Sequence, residues 1–147
     1  RAVVSGNVNP GIYLIGTTPS TSTVDIADST VDGNITGIYA LSTLSTTILK
    51  LSVRDSRIVG NSNYGLIAES DAGAAASLTA SNNIVSNSQH GLSAYGAGAK
   101  IISTGNTVTG NASAGFYNAN AVFESAGNNT VRDNGANGGT ITVIATQ

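Results

Sequence analysis

Cysteine, methionine and tryptophan are absent from this chain, and charge is scarce: 10% of its 147 residues, six basic against eight acidic. Without thiols there can be no disulfide framework, thiolate metal site or cysteine nucleophile, so stability must come from packing and hydrogen bonds. Without a basic run, the counterion release that drives nucleic-acid binding has little to act on, which excludes DNA and RNA as partners. No apolar run approaches the roughly 20 residues that cross a bilayer as a helix. The chain opens at Arg1, with neither a start methionine nor the apolar core of a signal peptide, and reads as a processed product or a piece of a longer solenoid. Ser, Thr, Asn and Gly dominate what remains while Lys and Glu are few, the composition of an exported protein, extracellular or on a cell surface.

What is present is a repeated phrase. DSRIVGNSNYGL (Asp55 to Leu66), SNNIVSNSQHGL (Ser81 to Leu92) and GNTVTGNASAGF (Gly105 to Phe116) share an order of β-branched residue, asparagine, glycine and apolar residue. Aligning the chain on this phrase gives a column of Asn7, Asn34, Asn61, Asn87, Asn111 and Asn134. Val4, Val31, Ile58, Ile84, Val108 and Val131 stand three residues before them, and Gly11, Gly37, Gly65, Gly91, Gly115 and Gly138 follow. The period of 23 to 28 residues is that of a solenoid. Segments such as GIYAL and LKLSV carry strand chemistry between Gly, Asn and Ser clusters, and no stretch shows a helical stripe. No single period can close a core, so coils must stack at about 4.8 Å with equivalent side chains in ladders. The expected fold is an all-β, single-stranded, right-handed parallel β-helix of about six coils forming one domain over residues 1–147, with an antiparallel sandwich as the alternative.

Roles follow from this stacking. The β-branched residue points inward. The asparagine takes a left-handed turn and stacks its amide on the next coil, and the glycine frees the chain to enter the next strand. Leu51 to Ile58 is seven residues but Leu78 to Ile84 is six, which predicts a bulge or shifted corner in some coils. The connectors after the Gly-apolar strand, such as TTPSTST and GAGAK, vary in length and mark the turn that tolerates insertion.

The V/I-x-x-N-x-x-x-G-I/L unit, repeated over nearly the whole chain, resembles the right-handed parallel β-helix of the pectate-lyase-like superfamily. The ending GNNTVRDNGANGG resembles the last coil of secreted bacterial members. The superfamily includes polysaccharide lyases, hydrolases, epimerases, tailspikes and adhesins, so the resemblance implies a fold and leaves activity open.

Candidate chemistry is thin. His90, the single histidine, falls in a column of Pro10, Thr36, Tyr64, Ala114 and Asn137, and reads as a solvated turn residue. The acidic elements and the Arg-Ile-Lys element of the superfamily's polygalacturonase branch are missing, and with them a carboxylate pair for hydrolysis. Asp28 and Asp55 share a column with Asp25 nearby; calcium ligation is one reading, salt bridging with Arg54 and Arg57 the preferred one. Lys50, Lys100 and the arginines are too scattered to assemble a lyase base. Tyr13, Tyr39 and Tyr117 alternate outward, as a cross-coil packing ladder or as a platform for sugar rings, the column being interrupted by Ile67 and Ser93. No catalytic residue and no cofactor is assigned. The expected function is a non-catalytic extracellular structural or adhesive solenoid, bacterial, stacking head to tail on itself into filaments. The alternative is a carbohydrate-binding or polysaccharide-degrading β-helix domain with an incomplete site. Its partners are a second copy or a surface polysaccharide.

Overall fold

In a computed structural model that describes residues 1–71 and 73–145, the chain winds into a parallel β-solenoid of about five turns, with no helix among the described residues. The first coil lays down β1 (Val3–Ser5), β2 (Ile12–Gly16) and β3 (Thr21–Ala27), and the second β4 (Thr30–Asp32), β5 (Thr36–Ser42) and β6 (Ile48–Arg54). The third gives β7 (Arg57–Val59), β8 (Tyr64–Ser70) and β9 (Ala75–Ser81), the fourth β10 (Ile84–Ser86), β11 (His90–Tyr95) and β12 (Ala99–Thr104). The fifth gives β13 (Thr107–Thr109), β14 (Ala114–Ala119) and β15 (Val122–Ala126). Among the described residues β16 (Thr130–Arg132) and β17 (Thr142–Ile144) follow, giving the first and third strands of the expected sixth coil, and on the second sheet that coil contributes the single bridge Tyr117 to Gly138. Every third strand pairs in parallel, giving three sheets that begin with β1, β2 and β3.

Register turns composition into a core. On the first sheet Val4, Val31, Ile58, Val85, Val108 and Val131 stand over one another. The second sheet contributes Ile12, Ile38, Leu66, Leu92 and Phe116, and the third Val24, Leu51, Leu78, Ile101 and Phe123. These aliphatic ladders fill the bore, and Phe116 packs on Phe123 with ring centroids 4.8 Å apart.

The first sheet is flanked by two corners built alike. Residues 28–34, 55–61, 82–88 and 105–111 each begin with a left-handed residue, Asp28, Asp55, Asn82 or Gly105, and carry a second at Gly33, Gly60, Asn87 or Gly110. After each comes a small polar side chain turned into the solenoid. At the second corner Asn34 Oδ1 accepts from the Asn7 backbone N–H and amide, and Asn61 Oδ1 does the same for Asn34. Asn134 does so for Asn111. At the first corner Ser29, Ser56, Asn83, Asn106 and Asn129 form a second ladder, each accepting from the backbone N–H one coil earlier.

Three expectations are corrected here. Asn87 is not a ladder residue: it is exposed and left-handed, in register with Gly60 and Gly110, and Ser88 takes the inward place and donates its backbone N–H to Asn111 Oδ1. Ile84 likewise lies outside, 44% exposed, while Val85 beside it is fully buried, so seven residues separate Leu78 from its wall residue and no bulge is required. Asparagine suits both a left-handed turn and an amide ladder, and the coil with two such residues in sequence reads equally well one position out of phase. Finally, the glycines entering the second sheet are needed for room rather than for a left-handed backbone. A Cβ on Gly91 would lie 2.5 Å from the Gly115 carbonyl oxygen and 2.7 Å from Val108 Cγ1.

The two roles of asparagine separate in a stability measurement. Asn61→Ala strips the acceptor from two Asn34 donors and the donor from the Val31 carbonyl, and costs about 2–4 kcal/mol. Asn87→Gly removes a left-handed strain without touching a ladder and shifts stability by less than about 1 kcal/mol. Urea unfolding of both variants checks the pair, and equal losses contradict the assignment.

Candidate functional site

The second sheet concentrates the aromatic side chains. Ile38 and Ala40 enter the core, so Tyr39 between them faces out, and the same alternation exposes the other strands' outer residues. Each of the five strands carries one tyrosine: Tyr13 on β2, Tyr39 on β5, Tyr64 on β8, Tyr95 on β11 and Tyr117 on β14. These are all the tyrosines of the protein, and His90 lies among them. At a coil rise of about 4.8 Å, the face is roughly 19 Å long from Tyr13 to Tyr117.

Within the face the rings form two groups. Tyr13 and Tyr39 lie with centroids 5.1 Å apart. Further along, Tyr64 stacks on His90 at 5.3 Å, His90 meets Tyr117 edge-on at 5.2 Å, and Tyr95 leans on Tyr117 at 5.3 Å. The Tyr64 and Tyr95 hydroxyls are 3.0 Å apart, and the Tyr39 hydroxyl donates to Glu69 Oε2 at 2.5 Å. Between the groups is a groove with Ile67 at its floor, Tyr39, Tyr64 and Tyr95 as walls, and Glu69, Asn63 and Thr36 supplying polar atoms. Burial pushes the Tyr39 phenol well above its ordinary range, with the Glu69 hydrogen bond and charge adding to it. Burial and the hydrogen bond to Tyr64 do the same for Tyr95.

The expected stacking column of Tyr13, Tyr39 and Tyr117 is thus split: the first two pair, and Tyr117 belongs to the other group, three coils from Tyr39. Ile67 and Ser93 do occupy the intervening places, at 3% and 0% exposure, flanked by rings from neighbouring columns. Tyr64 and Tyr95 escaped a reading confined to a single column. The signal that finds them is simpler, one tyrosine in each strand that follows the asparagine corner. His90 is not a solvated turn residue. Its ring is sandwiched by Tyr64 and Tyr117, its Nδ1 is buried without a partner, and burial lowers its pKa.

The acidic candidates lie elsewhere. Arg54 bridges Asp25 at 3.2 Å and Asp55 at 3.5 Å, while Asp28 donates its backbone N–H to the Arg54 carbonyl. A guanidinium therefore occupies the space between carboxylates where a calcium ion was considered, and no group of three or more acidic or histidine ligands converges among the described residues. The open depression at this corner is lined by Arg1, Asp28, Asp55, Arg57 and Asn82, charges of both signs with no aromatic surface. Among the described residues no helix is long and apolar enough to cross a membrane. Comparison with family models, curated proteins and solved structures finds no match to this chain.

The half-buried histidine has a pH consequence. Stacking on Tyr64 favours imidazolium modestly, but Nδ1–H would have no acceptor, so the folded state holds its proton less tightly than the unfolded chain. The unfolded chain then binds more protons just below its pKa of about 6.5, and stability must fall as pH drops through that range. Thermal melts between pH 7.5 and 5 should show a declining midpoint, and His90→Phe should flatten that decline; an unchanged slope contradicts the assignment.

Proposed function

We propose that this chain is a non-catalytic adhesive β-solenoid, secreted and bacterial, of the right-handed pectate-lyase-like kind, whose second sheet holds a polysaccharide of a cell or matrix surface. The observation that carries this reading is the placement of one tyrosine on every strand of a single sheet. A core has no need of this arrangement, since the bore is filled by aliphatic ladders and two phenylalanines. Tyrosine offers an apolar face to the C–H surface of a pyranose and a hydroxyl at its rim, which suits a ligand that is wet on its edges and apolar on its faces. The rings are also held in place: Tyr39 by Glu69, Tyr64 by Tyr95 and His90, so little side-chain entropy remains to be lost on binding. A row of rings along the coil axis matches an extended polymer better than a single small molecule.

The reading is non-catalytic because no two carboxylates face one another across the groove: Glu69 is the one acidic residue in the strands of this sheet, and Tyr39 engages it. Affinity electrophoresis through gels containing plant and bacterial polysaccharides tests the proposal. Tyr39→Ala should weaken retardation by about five- to tenfold, a loss of about 1 kcal/mol or slightly more. A folded Tyr39→Ala variant that binds as the parent does removes the support.

A second reading, end-to-end self-association, is favoured by the edge strands β1, β2 and β3, each paired on one side only, with Val3 exposed on β1 and Val8 in the turn that follows it. Sedimentation equilibrium at rising concentration should then show mass growing in multiples of the chain, and a constant monomer mass excludes it.

A further inference from the structure

The three sheets differ in charge, and the difference selects a ligand. None of the six basic residues lies on the second sheet. Arg1 precedes β1, Arg57 and Arg132 lie on the first sheet, and Lys50, Arg54 and Lys100 on the third. The one acidic residue in the five strands of the tyrosine face is Glu69, with Asp71 just beyond the end of its strand. A glycan carboxylate brought to this surface would meet carboxylates and no compensating cation.

The polar atoms left unused on the face include three that can accept a hydrogen bond. Tyr39 engages Oε2 of Glu69 and leaves Oε1 without a donor among the described residues. His90 Nδ1 is buried and unpartnered, an acceptor in the Nε2–H tautomer. Ser93 is fully buried, its Oγ is also unpartnered, and it stands on the outer side of β11 because Leu92 and Ala94 enter the core. It is flanked by His90 and Tyr95 on its own strand and by Tyr117 in the next coil. A buried hydroxyl without a partner is uncommon in a folded protein and calls for an explanation. Here an unpartnered hydroxyl and an unpartnered imidazole nitrogen lie three residues apart on one strand, and both residues adjoin Tyr117.

We propose that the second sheet binds an uncharged polysaccharide, whose hydroxyl groups donate to Glu69, His90 and Ser93 while its ring faces lie on the tyrosines, and that it rejects uronate polymers. This rests on the reading of the tyrosine face as a glycan-binding surface and adds the chemical class of the glycan. The Tyr117 ring, which adjoins both His90 and Ser93 and stands outside the Tyr64–Tyr95 hydroxyl pair, turns aside to admit a hydroxyl to them, a side-chain rotation at the sheet surface that leaves the coils unmoved.

Affinity electrophoresis with hydroxyethylcellulose, xyloglucan and galactomannan on one side and polygalacturonate and alginate on the other, with and without calcium, tests the class. The expected result is retardation by at least one neutral polymer and by neither uronate. Retardation by a uronate equal to or stronger than that by the neutral polymers overturns the charge argument while the glycan-binding reading stands. No retardation by any polymer, with the fold intact by circular dichroism, overturns both. Ser93→Ala provides a separate readout: removing an unpartnered hydroxyl leaves the melting temperature unchanged or raised, and binding to the neutral polymer weakens about three- to tenfold. Unaltered binding by that variant overturns the role of Ser93, and a lowered melting temperature shows its hydroxyl to be structural.

Discussion

A solenoid corner exposes backbone N–H groups to the interior where no strand can pair with them, and the present structure depends on how these donors are satisfied. The answer is the same at both ends of the first sheet. A short polar side chain reaches from each coil to the backbone N–H of the coil before it, and where it is asparagine its amide also donates to a carbonyl, as Asn83 does to Val53 and Asn106 to Ala80. An unmet buried donor costs about 1–3 kcal/mol, so a full ladder is worth more than its individual bonds suggest. It also sets register, because a coil slipped by one residue would put Gly33, Gly60 or Gly110 in place of Asn34, Asn61 or Asn111 and leave the same N–H without a side-chain acceptor.

Register in turn creates the site. Once the coils are locked, residues about 25 positions apart become neighbours, and the single tyrosine on each strand of the second sheet joins one of two ring groups on the same face. The left-handed residue before every ladder side chain except Asn129 belongs to the same device. It bends the chain sharply enough to bring a three-residue strand between two corners, and Gly, Asn and Asp supply it at the lowest cost. Crowding inside the corner explains the glycines that follow: a Cβ on Gly115 would come within 2.8 Å of the Asn134 amide.

Much of this was legible from residues alone, and the failures were specific. Val31, Ile58 and Val108 are recognisable as wall positions because β-branched residues recur before an asparagine. The coil from Asn82 to Ser88 misled because it places asparagine where others place glycine, and serine where others place asparagine. The ladder of Ser29, Ser56, Asn83, Asn106 and Asn129 stayed hidden because serine and asparagine perform the same task with different side chains. His90 was misjudged for another reason: an outward column looks solvated until the neighbouring rings are placed.

The sequence by itself determined the class of architecture, since a period of 23 to 28 residues with alternating apolar strands and polar corners has no helical solution and no way to bury a single unit. It also determined what is absent, because thiols and basic runs are matters of composition. Only the tertiary structure decided which side chains share a face, and it gathers the five tyrosines on one sheet. Side-chain neighbours across coils depend on register to the single residue, and one position of phase separates an exposed Ile84 from a buried Val85.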